Sequence, residues 1–458
     1  MAITAGGIGS GIDIEGLVSQ LVAAEASPAT TRLNTKEVNL ESELSALGTL
    51  KSALSTFQTS VTKLEDAETF QVFTASSSDE SLFTASAASG AVAGNYSIEV
   101  VQLEEVDKLR TGDFTASTEV VGTGTLDISL GAESFQLTID GTNNTLEDIR
   151  DAINAASDNP GITASLINVD SGTQLVLTSK EVGATNTISV VATDDDALDG
   201  FDLGRLDSAS LVSLQSASDA IIKVDTQTVT RDSNSFSDVI DGVTFNLTKA
   251  APGITETLTV VTDTATIKED VESFVTNYNV LVGIMKGLSN YDADTGVSGA
   301  LNGDSVVRGI QNQLRQTLFA GVSGGTLSNL TELGISLDDT GSLEIDDSIL
   351  DDKLATGLSD VEAFFSADTG FAQSFTTALS GYVDDDGILD GRKDSVQSKL
   401  DSIDDDRDTL SRRMASLEAR LRAQFTAMDI LVAQLNSTSS FLSSQLANLP
   451  EPNSINRN

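Results

Sequence analysis

Apolar residues recur seven positions apart near both ends of this chain. At the amino-terminal end the series is Leu33, Leu40, Leu47, Leu54 and Val61, with Leu44, Leu50, Phe57 and Leu64 filling much of the same stripe. A seven-residue spacing keeps one face of an α-helix apolar over many turns, so this stretch predicts a long amphipathic helix that needs a partner. Ser27 as N-cap and Pro28 at the first helical position predict its start, because proline lacks only a donor that would be unpaired there anyway. A shorter helix, Ile14 to Glu25 after Asp13, is expected before it.

Towards the other end Leu400, Met414, Leu421, Met428, Leu435, Leu442 and Leu449 hold one heptad position, and Ile403, Leu410, Leu417 and Leu431 hold the other. Arg407, Gln424, Thr438 and Gln445 interrupt that seam. At about 1.5 Å per residue, the span Val396 to Leu449 would be a rod of roughly 80 Å, too long to stand alone. Its simplest partner is the first helix. Beyond the reach of that helix, the seam must meet other subunits or stay disordered.

Residues 76 to 264 differ in character: threonine, serine, valine and glycine rise, and apolar residues alternate with polar ones. Tyr96 to Val100, Leu126 to Leu130, Phe135 to Ile139 and Thr257 to Val260 predict half-buried antiparallel strands, interrupted by one helix from Thr145 to Ala156. After residue 265 the helical period returns, in Val271, Phe274, Val275, Tyr278, Leu281 and Val282, then in Val307, Ile310, Leu314 and Leu318. The fold class expected is α+β and multidomain: terminal helices form a coiled-coil or helical-bundle stem carrying two inserted antiparallel β-rich head domains. The boundaries expected are 1–40 with 425–458 for terminal legs, 41–75 with 265–424 for a helical stem, 76–108 with 213–264 for one head, and 109–212 for the other.

Composition narrows the function. Twenty-six basic residues against 69 acidic ones give a net charge of −43, which repels nucleic acid and anionic lipid alike. No apolar run of about 18 residues is present that could insert in a bilayer. With no cysteine and no histidine, disulfides, thiolate nucleophiles, imidazole bases and their metal sites are excluded. Met1 to Gly7 lacks a basic and an apolar region, so no cleavable secretory signal is expected, leaving retention inside the cell or export by a dedicated machine.

Four patterns are weighed as chemistry. Ser60-Val61-Thr62-Lys63 fits the S-x-x-K of penicillin-binding enzymes and Ser157-Asp158-Asn159 fits S-D-N, but the first lies on the heptad helix and no K-T-G follows. Asp292-Ala293-Asp294-Thr295-Gly296 begins like a calcium loop yet lacks the distal glutamate, so a polar turn is expected. The acidic runs Asp194 to Asp196, Asp384 to Asp386 and Asp404 to Asp406 are read as solvated charge. The sequons at Asn95, Asn143, Asn246, Asn329 and Asn436 are read as chance, since a glycan on Asn436 would block the heptads. No cofactor, catalytic residue or metal site is expected.

The opening Ile8-Gly9-Ser10-Gly11-Ile12-Asp13-Ile14, followed by Leu17-Val18-Ser19-Gln20-Leu21, closely resembles the amino-terminal signature of the bacterial flagellar filament cap family, the hook-associated proteins 2. The helix ending in Ile153-Asn154, with Ile162 to Ser165 and Leu175 to Thr178, is similar to the IN motif of the wider hook-associated group. Phe274 to Asn279, Leu301 to Ser305, Leu333 to Leu337 and Gly341 to Asp346 resemble the family's stem, and Arg422 to Leu442 its carboxy-terminal coiled coil. The resemblance implies an extracellular structural protein at the distal tip of the flagellum. It implies a ring of copies of the chain, commonly a pentamer, that retains exported flagellin and promotes its folding and polymerisation. Export by the flagellar type III apparatus is implied, with a chaperone covering the carboxy-terminal helix; Leu431, Leu435, Leu442 and Leu449 would suit that chaperone or leg packing equally. Competing readings are a hook–filament junction protein or flagellin, a tip adhesin using the heads, and a carboxylate glycosidase.

Overall fold

The computed structural model describes residues 11–195 and 202–447. Its helices are α1 (Ile14–Glu65), α2 (Leu146–Ala155), α3 (Thr264–Ser289), α4 (Ser305–Phe319), α5 (Asp347–Thr356), α6 (Leu358–Ser366), α7 (Phe371–Val383) and α8 (Ile388–Ala447). The chain divides into two compact units, one holding residues up to Asp66 and from Lys268 onward, the other Ala67–Ile267.

The first unit is built on α1 and α8. Asp13 starts α1 by accepting a hydrogen bond from the Gly16 amide at 3.0 Å, which satisfies one of the orphan donors of the first turn. The expected break at Ser27-Pro28 is absent, and α1 runs through Pro28 as one helix of 52 residues. The proline ring removes one hydrogen bond to the carbonyl four residues back. Its exposed position lets water take that carbonyl, and Val18 and Leu33 on either side stay buried, so side-chain pairing outweighs the local cost. Lys51 meets Asp390, Glu43 meets Arg392, Glu37 meets Arg407 and Glu15 meets Arg422; numbers rise along α8 as they fall along α1, so the pair is antiparallel.

Where α1 ends and α8 begins, a many-sided core forms. Phe57 of α1 lies 5.5 Å, centroid to centroid, from both Phe274 of α3 and Phe375 of α7, and Phe371 stacks against Phe364 at 5.3 Å. The apolar face expected after residue 265 is here: Val271, Phe274, Tyr278 and Leu281 of α3 and Val307, Ile310 and Leu314 of α4 are buried. Asn279 of α3 holds a short hairpin, Ile335–Leu337 with Leu343–Ile345, through both backbone groups of Leu343 at 2.7 and 2.8 Å. Gly334 leads into it with φ +79°, and a Cβ there would stand 2.8 Å from the Asp346 carbonyl oxygen, so only glycine fits.

The second unit contains two apolar cores. In one, a sheet ordered Phe73–Ser77, Glu256–Thr262, Gly94–Gln102, Ala220–Val224, Gln227–Arg231 shares its core with a sheet ordered Ser235–Ile240, Val243–Leu247, Phe83–Ala87. In the other, the sheets are Val212–Gln215, Val106–Arg110, Gly172–Val182, Ile162–Val169, and Glu133–Ile139, Gly124–Leu130, Ile188–Asp194, with α2 laid against them. Every ladder is antiparallel, and Gly124–Leu130 buries every second residue, as the alternation requires. The chain passes between the cores at 103–106 and returns at 215–219, where Glu105 and Ser218 exchange backbone hydrogen bonds.

Candidate functional site

The antiparallel register of α1 and α8 decides which seam residues have partners. On α1, Leu33, Leu40, Leu47, Leu54 and Val61 are all buried. On α8, Ile403 and Met414 are buried and Leu400, Leu410, Leu417 and Leu421 half-buried. Met428, Leu431, Leu435 and Leu442 are 43, 57, 60 and 53% exposed. Leu449 lies outside the described residues. The change falls where Arg422 meets Glu15, one residue from the start of α1. Past that point α8 continues for seven turns at about 3.6 residues each, with nothing opposite among the described residues.

Of the four polar residues expected to interrupt a buried seam, only Arg407 lies in the paired part. Its guanidinium reaches Glu37 through both terminal nitrogens and Asn34 at 2.8 Å. The hydrogen bonds from Arg407 hold the Glu37 carboxyl below its ordinary range, and Glu37 in turn raises Arg407. Gln424, Thr438 and Gln445 are exposed in the single chain, in the part of α8 that α1 does not reach; Thr438 donates to the Gln434 carbonyl of its own helix.

In the amino-terminal motif, Ile8, Gly9 and Ser10 lie outside the described residues. Gly11 takes a φ of +74°, Ile12 is exposed and Asp13 caps α1. In the IN motif, Ile153 is buried in the core beneath α2, while Asn154 donates to the Ala164 carbonyl at 2.8 Å and accepts from the Ala164 amide at 2.9 Å. One asparagine thus ties helix to edge strand, and Asn159 repeats the device on Ile162. Thr145 caps α2, accepting from the Asp148 amide.

The residues weighed as chemistry have structural work. Ser60 is buried and donates to the Phe57 carbonyl, and Lys63 pairs with Asp270 of α3. Asp292 folds its own turn, accepting from the Thr295 side chain and the Asp294 and Thr295 amides, which hold its carboxyl below the ordinary range. No group of three histidine, cysteine, aspartate or glutamate side chains converges among the described residues.

The ring cluster that joins α6 and α7 to Phe57 was not read from the sequence. Phe364, Phe365, Phe371 and Phe375 stand at helical intervals, and that spacing was the available signal.

The described chain is a long antiparallel pair of terminal helices, one overhanging with an exposed apolar stripe, with β domains inserted between them in sequence. Residues 10–105 match the family "Flagellar hook-associated protein 2 N-terminus", 217–437 "Flagellar hook-associated protein 2 C-terminus" and 125–181 "Flagellin hook IN motif". The chain is 35% identical to an A-type flagellar hook-associated protein 2 of Pseudomonas aeruginosa and 34% identical to the flagellar hook-associated protein 2 of Escherichia coli K12, over 98% of each chain in both cases. A crystal structure of the D1-D2-D3 domains of the Escherichia coli flagellar cap protein FliD aligns with a TM-score of 0.61 at 31% identity, covering 77% of this chain and 99% of that one. The chain belongs to the flagellar hook-associated protein 2 family, a family of structural flagellar cap proteins rather than enzymes.

Proposed function

We propose that this chain caps the distal end of a bacterial flagellar filament, forming a ring of copies that retains exported flagellin and promotes its folding and polymerisation. The observation that carries the reading is the overhang of α8, where Met428, Leu431, Leu435 and Leu442 stand in solvent on one heptad stripe. An exposed stripe of this size is costly to keep in water and reads as a surface for other chains. On this reading 1–40 with 425–458 are legs, 41–75 with 265–424 a stem, and the two β cores the heads, divided at 76–108 with 213–264 and 109–212. The seam Leu33 to Val61 with Leu400 to Leu421 holds the stem together and reaches into the base of the leg, and Met428 to Leu449 of the leg meets neighbouring copies or flagellin. Before assembly the same stripe suits an export chaperone, and the ring stands outside the cell after export without a cleaved signal. Family membership supports a pentamer.

The test is deletion of the gene in its host, with electron microscopy of the flagella and an assay for flagellin in the medium. Hooks without filaments and shed monomeric flagellin are expected, restored by the intact gene and not by one lacking residues 425–458. Normal filaments would overturn the reading.

A further inference from the structure

The part of α1 that carries Pro28 holds α8 more loosely than the rest of the helix does. From residue 19 to residue 32, about 21 Å of helix, no side chain of α1 is buried. Pro28 stands in this stretch, lacks the amide that would close on the Ala24 carbonyl, and crowds that oxygen with its ring. Two residues on, the Thr30 hydroxyl donates to the Ala26 carbonyl at 3.1 Å, a bond that competes with the backbone ladder. Of Ser27, Pro28, Ala29, Thr30 and Thr31, only Ala29 is a strong helix former. The ladder is therefore weakest where side-chain cover is thinnest.

The segment before this point, residues 14–27, buries only Ile14 and Val18 and leaves Leu17 and Leu21 exposed. One ion pair ties it to α8 among the described residues, Glu15 with Arg422, and an exposed pair of this kind contributes little. Arg422 has a second partner in Glu418 of its own helix at 3.0 Å, so release of Glu15 does not leave it unpaired. Beneath the segment, Met414 is buried and Leu417 and Leu421 half-buried, in a groove they share with Leu21 and Glu25. Met414 and Leu421 continue at heptad spacing into Met428, Leu435 and Leu442, which are exposed. Residues 14–27 thus cover the first members of an apolar stripe whose remainder is bare.

We infer that residues 14–27 are a strap, hinged at Pro28, that opens from α8 while the rest of α1 stays paired, and that its opening adds Met414, Leu417 and Leu421 to the bare stripe of the overhang. The stripe then runs from Met414 to Leu442, roughly eight turns of helix. Opening needs no concerted change in the rest of the chain. A helix of fourteen residues is marginal in water by itself, so the strap keeps its form only against α8. From Leu33 inward the pairing differs: Leu40, Leu47 and Leu50 are buried, and Arg407 forks onto Glu37. Past Arg422, α8 is helical with nothing opposite it among the described residues, so cover by α1 is not what keeps α8 a helix. This opening belongs to the single chain and does not depend on the ring.

Residue-resolved amide exchange on the dilute full-length chain tests it without any substitution. Amides from Val18 to Ser27 are expected to exchange together, at least about a hundredfold faster than those of residues 47–64, with the step in rate between Pro28 and Leu33. Rates that rise steadily towards Ile14 without a step would be fraying from the end and would overturn the hinge. Protection of residues 18–27 equal to that of residues 47–64 would overturn the strap. The uncovering is read separately, because a chain without cysteine accepts single reporter thiols. Met414→Cys lies under the strap and Ile403→Cys under the rest of α1, both at buried positions. Met414→Cys is expected to react with a thiol reagent at least about tenfold faster than Ile403→Cys, and adding Pro28→Ala is expected to slow Met414→Cys by at least about tenfold while leaving Ile403→Cys within about twofold. Equal reaction at the two positions, or equal slowing of both by Pro28→Ala, would overturn the inference. If a cysteine variant loses helix by circular dichroism, amide exchange in Pro28→Ala alone is read instead, and an undiminished step between residues 28 and 33 would overturn the hinge.

Discussion

The two ends of the α1–α8 pair obey one heptad pattern and live in different surroundings. At the joined end, Leu47, Leu50, Leu54, Phe57, Val61 and Leu64 are buried on nearly every turn, where α6, α7 and α8 pack on α1 and Phe274 and Tyr278 of α3 meet Phe57. At the free end α1 has α8 alone among the described residues, and from Ile14 to Leu40 only Ile14, Val18, Leu33 and Leu40 are buried. Beyond Arg422 even that single partner is missing among the described residues. Equal spacing therefore does not mean equal stability: the energy of a heptad is set by how many faces are covered, not by the repeat. One end is covered on several sides and the other on one.

That contrast can be broken most directly at Phe57. Replacing it with alanine removes ring contacts to Phe274, Tyr278 and Phe375 and is expected to cost about 3–5 kcal/mol in chemical denaturation. A loss below about 1 kcal/mol would show that the joined end is not a close-packed core.

Pro28→Ala acts in the other direction and at the free end. Restoring the missing donor and relieving the ring clash is expected to stabilise α1 locally by up to about 3 kcal/mol, read as slower amide exchange over residues 20–34. Unchanged exchange would mean that pairing with α8 already limits opening there.

A smaller effect is expected from acid. The folded pKa of Glu37 is depressed below its ordinary 4.5 by Arg407, so its contribution is present above the unfolded value and is lost as pH falls through the folded one. In Glu37→Gln, the free half of the pair is expected to lose less stability on acidification than in the parent chain. The measurement is helix content against pH, and parallel curves would remove the Arg407 pair from the account.

Leu435→Ala sharpens the comparison by doing least. With 60% of the residue exposed, unfolding free energy is expected to move by no more than about 0.5 kcal/mol. Filament growth in the complemented host is nonetheless expected to fall. A stability loss as large as that of Phe57→Ala would place Leu435 in a core within the chain.

How legible this was depends on the range of the forces involved. The strands at Tyr96 to Val100 and Leu126 to Leu130, α2 with its Thr145 cap, and the apolar faces of α3 and α4 follow from period and cap alone, because each is decided within a few residues. Pro28 misled because its local signal for a helix start is real, yet pairing with α8 some distance away in sequence outweighs it. The ring cluster of α6 and α7 was missed because it unites four separate segments.

By itself the sequence determined that both ends are long helices needing partners, that β domains lie between them, and that histidine, cysteine and disulfide chemistry is closed to the chain. Only the tertiary structure decided where the pairing stops. A heptad specifies that a face is apolar but not what covers it, and register across two distant segments is set by pairs such as Glu37 with Arg407 and Glu15 with Arg422. Sliding that register by one heptad would move the boundary between buried and exposed leucines by about 10 Å and leave the sequence pattern unchanged.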